Sequence, residues 1–395
     1  MSFETAEISS WVDLHERTRL TIVVFGFVAI SGALIQIRGA LFSSFQTQFL
    51  VSESQLGLLT PVSTVGFTAA ILLFGSMTGR IDARRAMGVS VLLTGLLLVA
   101  LGLSPIFFVL VAVEGLRSFS TGVFRAIDRP MLGHLYPDTR GQMVSLVAMV
   151  WALGAAAGPV LVTVVSTLGY DWPAVYFLLA VVCLPIAVLL FRHDVSGFEG
   201  NEQSFSVSYL DDLVHEPQIH VMMISLVLVG GIESGFFTWL PYYVAQSSPQ
   251  TLANLSLSVY LVSYIPGRFL SSYLAGRYRS LNLLVGATVA LPPVLWTALN
   301  TPKGPALLVA IFVVGLLMSG LFPTLITIGM ESQPSFSGPV NAIGNVSARV
   351  GFLIVPTIIG VLAQVYTIGI AMRVQIVLGA TLAATTIGFK ILDVR

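Results

Sequence analysis

The chain is predicted to be an all-α integral membrane protein with twelve transmembrane helices in two pseudo-symmetric six-helix bundles. Three observations predict this. Of its 395 residues, 55% are hydrophobic and only 10% charged, and the mean hydropathy is +0.90. A soluble domain carries about 25% charged residues, so most of this exterior has to face lipid. The apolar residues come in long blocks rather than in alternation, which selects helices over a barrel. The sequence also repeats at half its length. Gly79-Arg80 and Gly276-Arg277 lie 197 positions apart, as do Gly154…Pro159 and Gly351…Pro356.

The first 19 residues are polar, with Glu4, Glu7, Asp13, Glu16, Arg17 and Arg19, and read as a cytoplasmic segment without a cleavable signal. Apolar runs of spanning length then predict helices at 20–49, 53–78, 84–103, 105–133, 140–167 and 172–191. Span two runs into a Gly-rich turn crowded with arginine, from Gly75 through Gly79, Arg80, Asp82 and Arg84 to Arg85. Residues 192–217 interrupt the pattern with Asp194, Glu199, Glu202, Asp211, Asp212 and Glu216. This linker is either a flexible acidic tether or, from Phe205 onward, a short amphipathic helix on the membrane surface. Spans resume at 218–246, 250–276, 280–300, 303–331, 336–363 and 367–390. The domains are therefore a segment at 1–19, a bundle at 20–191, the linker, and a bundle at 218–395. Cys183 stands alone inside span six, so there is no disulfide framework.

Loop charges set the orientation. Arg17, Arg19, Arg80, Arg84, Arg85, Arg140, Arg192, Arg277, Arg279, Lys390 and Arg395 fall on one side, against Lys303 and Arg373 on the other. Both termini are expected in the cytoplasm of a multi-pass protein of the cell (plasma) membrane. The net charge is zero and no basic tract is present, so no nucleic-acid partner is expected.

Apart from the loop residues above and Glu53 and Glu331 at span ends, six arginines fall inside predicted spans, Arg38, Arg117, Arg125, Arg129, Arg268 and Arg349, against three acids, Glu114, Asp128 and Glu233. A mid-membrane charge costs at least ~2.5–3.5 kcal/mol on insertion scales, so such groups face a cavity or a partner. Glu114 and Arg117, and likewise Arg125 and Asp128, are spaced to meet on one helical face. Their simplest reading is neutralisation within the helix. Arg268 lies nine residues before Arg277, roughly 14 Å deep at the helical rise. Arg349 lies 13 residues past Phe336, roughly 20 Å by the same rise. Neither has an acid on its own span, nor has Arg38. A guanidinium fits carboxylate or phosphate-like oxygens. Arg38, Arg125, Arg268 and Arg349 are thus candidate substrate-binding residues for an anion, with Asn345 on the face of Arg349.

Glu233 is the candidate proton-coupling group. Burial and a neighbouring arginine act oppositely on a carboxyl's hold on its proton, so an arriving solute can switch it. The alternative is a static salt bridge. Trp239, beside the bend expected at Pro241, either stacks on a ligand or belongs to an interfacial aromatic belt. Gln36, Ser43, Ser44, Gln46 and Gln48 on span one offer cavity hydrogen bonds. All five histidines lie at ends or in loops. No nucleotide-binding loop or metal-ligand cluster is present, so an enzyme, a cofactor and a bound metal are not expected.

Twelve spans in equal halves, the Gly75–Arg85 loop, and Gly154-Ala-Ala-Ala-Gly158-Pro159 together resemble the major facilitator superfamily across the whole chain. The resemblance implies a secondary active transporter working by alternating access between two six-helix domains. In this chain Gly79 stands where the family places an acid, and Asp82 where it often places Gly. The resemblance makes Gly79, Arg80, Asp82 and Arg84 in the loop, and Gly158 and Pro159 in span five, candidates for conformational gating. Gly158 and Pro159 also read as a close-packing motif. Gly231-Ile-Glu233-Ser-Gly235…Trp239-Leu-Pro241, Pro266-Gly-Arg268 and Leu321-Phe-Pro323-Thr324 are similar to the fucose:proton symporter branch. Ile37-Arg38-Gly39 and Asp128-Arg129-Pro130 are similar to cyanate-type permeases. The expected partners are a small-molecule substrate, the lipid bilayer and a co-transported proton, with the chain a monomer. An anion is the first substrate class, with sugar:proton symport and drug efflux as alternatives.

Overall fold

The computed structural model describes residues 3–75, 82–192, 216–300, 304–333 and 336–393, and its regular elements are all helical. The first half comprises α1 (Phe3–Phe49), α2 (Glu53–Leu56), α3 (Leu59–Gly75), α4 (Ala83–Gly102), α5 (Phe107–Leu135), α6 (Arg140–Thr167) and α7 (Pro173–Arg192). The second comprises α8 (Pro217–Ala245), α9 (Gln250–Val262), α10 (Tyr264–Ala275), α11 (Ser280–Asn300) and α12 (Pro305–Met318). It continues with α13 (Leu321–Ser332), α14 (Ser337–Val365), α15 (Ile368–Ala371) and α16 (Val374–Asp393). Gly79 and Arg80, and nearly all of the acidic linker, lie outside the described residues.

Among the described residues, 11 segments are long and apolar enough to cross a membrane. The remaining expected span, 250–276, is present as α9 and α10; Asn254, Arg268 and a run of serines and tyrosines make it less apolar. Three expected spans are interrupted, at Gly57-Leu58, at Ser263 and at Ser319-Gly320. Each break has one physical cause. Pro61, Pro266 and Pro323 have no N–H to bond to Gly57, Val262 and Ser319 four residues earlier. Gly or Ser at the same turn weakens the helix further. Elsewhere, as at Pro159 and Pro356, helices carry proline without interruption. Helix starts follow local chemistry. Ser52 and Gln55 form a capping box at α2, and Asp82 accepts from the Arg85 N–H at α4. Gly304, at φ 64°, turns the chain into Pro305 at the first position of α12.

The described chain divides into two compact units. Unit 1 comprises residues 1–35 and 65–203, and unit 2 comprises 36–64 and 204–395. The end of α1, all of α2 and the start of α3 thus pack with the second half of the sequence. In both units the outside is apolar. Leu96 and Val181 in unit 1, and Val309 and Val377 in unit 2, are each more than half exposed, as a lipid-facing surface requires.

The sequence repeat is a repeat of helix joints. In unit 1, α1 meets α6 with Gly32 against the Trp151 carbonyl, Gly154 against Ala29 and Gly158 against Ala33. In unit 2, α8 meets α14 with Gly230 against the Ala348 carbonyl, Gly351 against Val227 and Gly231 against Val355. Corresponding positions are offset by 197 or 198. A Cβ on Gly158 would lie 2.7 Å from the Ala33 carbonyl oxygen, so this stretch of span five serves close helix approach. Gly154→Leu and Gly351→Leu should each lower the thermal unfolding midpoint of the purified protein. Overpacking costs about 1–3 kcal/mol, and here the obstacle is backbone that cannot turn aside. Gly286→Leu, whose Cβ meets nothing within 4 Å, is the matched control and should leave the midpoint unchanged.

Candidate functional site

In unit 1 four of the span charges form two ion pairs along α5. Arg117 holds Glu114 in a two-pronged pair, with Nη2 2.6 Å from Oε1 and Nε 2.7 Å from Oε2. Ser118 and Thr121 complete its bonding at 2.9 and 3.3 Å. Arg125 pairs with Asp128 at 2.5 Å, and the Asp128 side chain is fully buried. Arg125, a candidate for substrate binding, is therefore committed to an acid one turn away. Replacing Arg117 by Met should destabilise the protein by about 3–5 kcal/mol, the cost of an orphaned buried charge. Restoring charge balance with Glu114→Gln in the same chain should recover most of the unfolding midpoint.

The loop residues act locally. Asp82 caps α4 and pairs with Arg85 at 3.1 Å. Arg84 donates to the Phe191 carbonyl at the end of α7, so a cation meets the negative end of that helix.

The span charges of unit 2 are arranged differently. Glu233 on α8 accepts a hydrogen bond from the Tyr264 hydroxyl at 2.9 Å. Tyr264 is linked in turn to the Tyr260 hydroxyl at 3.0 Å. The Arg268 guanidinium lies 5.8 Å from the centre of the Tyr264 ring, within cation–π range. Tyr260, Tyr264 and Arg268 recur every fourth residue, so they form one stripe along α9 and α10. Phe236 stacks on Tyr260 with ring centres 5.1 Å apart, and Phe237 touches both Tyr260 and Phe352 of α14. The Phe236 and Phe237 rings lie about one turn further along α8 than Glu233.

Arg268 itself is exposed, and no carboxylate of the described residues forms an ion pair with it. The segment that carries it is buried at Tyr264 and on the Gly267 side, where Gly267 packs against Leu316 and Ser319. Arg349 is half-buried on α14, and Asn345 is exposed one turn away, donating to the Asn341 carbonyl at 2.8 Å.

Two other candidates are built into packing. Arg38 is 7% exposed and donates to the Leu59 carbonyl at 3.4 Å. Trp239 is fully buried, donates to the Pro356 carbonyl at 2.9 Å and packs edge-on against Phe42 and Tyr242. Its ring offers no open face. Tyr260 and Tyr264 were not singled out from the sequence, although their four-residue spacing ahead of Arg268 is a readable signal. Among the described residues no group of three His, Cys, Asp or Glu side chains is placed to hold a metal.

Known proteins place this architecture. The chain is 21% identical to the TsgA homologue of Buchnera aphidicola subsp. Baizongia pistaciae over 373 residues, covering 91% of this chain and 92% of that protein. It is 21% identical to the MFS-type transporter YfkL of Bacillus subtilis, covering 78% of this chain and 80% of that one. Among solved structures, a bacterial homologue of the human lysosomal transporter Spinster, inward-facing and unoccupied, superposes with a TM-score of 0.82 at 12% identity. That match covers 94% of this chain and 96% of the other. The nucleoside transporter NupG superposes with a TM-score of 0.78 at 12% identity, covering 94% and 98%. The profile of the Major Facilitator Superfamily matches residues 20–356. With the repeated helix joints and the matching fold, that extent shows that the chain belongs to the Major Facilitator Superfamily of secondary transporters.

Proposed function

We propose that this transporter carries a small anionic solute together with protons, with Arg268 binding the anion and Glu233 carrying the coupled proton. The observation behind the reading is the single chain of contacts from Arg268 through the Tyr264 ring and hydroxyl to the Glu233 carboxylate. An exposed guanidinium with no ion-pair partner among the described residues presents a fork of donors that a carboxylate or phosphate-like group fits. An anion drawing Arg268 off the Tyr264 ring disturbs the hydroxyl that Glu233 depends on, so solute and proton are sensed by one side chain. Arg349 and Asn345, one turn apart on α14, are the further candidates for contact with the solute. The excess of arginine on one side supports cytoplasmic termini in the plasma membrane. The residues named come from one chain, so a monomer suffices.

A thermal-shift screen of the purified transporter against organic and inorganic anions, neutral sugars and lipophilic drugs tests the substrate class. Stabilisation by an anion, lost in Arg268→Ala, supports the reading. Stabilisation by a neutral sugar that persists in Arg268→Ala and Arg349→Ala replaces it with sugar transport, and a response to drugs alone replaces it with efflux.

A further inference from the structure

Within unit 2, residues 36–64 are held to the second half of the sequence by a small polar network that no span charge accounts for. The Tyr242 hydroxyl lies 2.8 Å from Glu53 Oε1 and 2.8 Å from the Gln46 amide oxygen. The Gln46 amide nitrogen donates to the same Glu53 oxygen at 3.0 Å. Three side chains from three helices thus close a ring around one carboxylate oxygen. No lysine or arginine of the described residues ion-pairs with Glu53. Beneath the ring the surfaces are in close contact. Gly39 lies against the Phe237 carbonyl, Gly57 against the Pro356 carbonyl and Gly360 against the Glu53 carbonyl. Thr60 and Thr238 are hydrogen-bonded at 2.8 Å, with both side chains buried.

A secondary transporter exposes its site to each side of the membrane in turn. At this end residues 36–64 are seated on α8 and α14 within unit 2. We propose that Gln46, Glu53 and Tyr242 are positioning residues for transport, forming a lock that must open whenever the site faces this end. Hydrogen bonds suit this duty better than a buried ion pair. Parting an ion pair leaves two desolvated charges, whereas water can replace the partners of Tyr242 and Gln46. The closely packed glycines beneath add contact but little directional strength, so the ring sets how often the end opens. The inference rests on the shown transporter family and needs neither the proposed anion nor the coupled proton.

The test uses the full chain in sealed proteoliposomes, with Thr60→Cys as a buried reporter beneath the lock and a membrane-impermeant maleimide applied to each face in turn. Peptide mass spectrometry reads labelling at position 60 and at the native, fully buried Cys183. Added Tyr242→Phe or Glu53→Ala should accelerate labelling at position 60 roughly tenfold or more from the face bearing the lock, the worth of a hydrogen bond to a charged group. The double variant should add little to either single change, because both remove one network. Unchanged labelling in both variants overturns the lock. Equal acceleration at Cys183 also overturns it, because that marks general loosening.

Discussion

Arg268→Ala is expected to weaken binding of the proposed anionic solute by about a hundredfold or more, since each hydrogen bond to a charged group contributes ~1.5–3 kcal/mol and the guanidinium offers two in parallel. Arg268→Lys keeps the charge but loses the fork, so its loss should be intermediate, roughly tenfold. The bundle itself should be little affected. Arg268 is exposed and has no ion-pair partner among the described residues, so its removal orphans no buried charge. The lost stack on Tyr264 costs only about 0.5–1 kcal/mol. Titration of the stabilising anion against the unfolding midpoint measures both quantities at once, as the unliganded midpoint and as the concentration dependence. An unchanged concentration dependence in Arg268→Ala would remove Arg268 from the site. Arg125 makes the contrasting case. Its pairing with Asp128 means that Arg125→Ala should register as lost stability before it registers as lost affinity.

The features legible in the sequence are those written in local or periodic signals. Spans are visible because each must be apolar along its whole length. The Glu114–Arg117 and Arg125–Asp128 pairs are visible because three residues make most of one helical turn. The duplication is visible at Gly154 and Gly351, and the structure gives its reason: each glycine admits the backbone of the first helix of its own half. The interruptions at Gly57, Ser263 and Ser319 are encoded three or four residues downstream, at Pro61, Pro266 and Pro323, although prolines elsewhere sit inside unbroken helices. What could not be read depends on which distant segments meet. Glu53 and Tyr242 are 189 residues apart, and neither sits in a motif. Trp239 looks like a stacking platform or a belt residue until Phe42, Tyr242 and the Pro356 carbonyl are seen to surround it. Arg38 looks like a cavity cation until its burial beside Leu59 is known.

Glu233→Gln is expected to uncouple transport from the proton gradient while leaving solute exchange intact. Apart from Glu331 and Asp393 near helix ends, Glu233 is the only acid between Pro217 and Asp393. No other acid in the interior of that half can take up and release a proton as the site changes sides. Glutamine keeps the shape and an oxygen for the Tyr264 hydroxyl, so the network around Tyr260 survives and the solute still binds. It cannot exchange a proton, so a gradient no longer does work on the carrier. One proton moving down a one-unit gradient supports about tenfold accumulation, and this accumulation should disappear in Glu233→Gln. Counterflow of labelled against unlabelled anion, which needs no gradient, should continue near the parent rate. Glu331→Gln should accumulate as the parent does. If Glu233→Gln still accumulates solute in response to a pH gradient, the proton travels elsewhere, and the contacts among Arg268, Tyr264 and Glu233 shape the anion site without coupling it. If counterflow and accumulation fail together, the carboxylate is needed for the conformational cycle itself. Only loss of accumulation with counterflow preserved assigns Glu233 the proton.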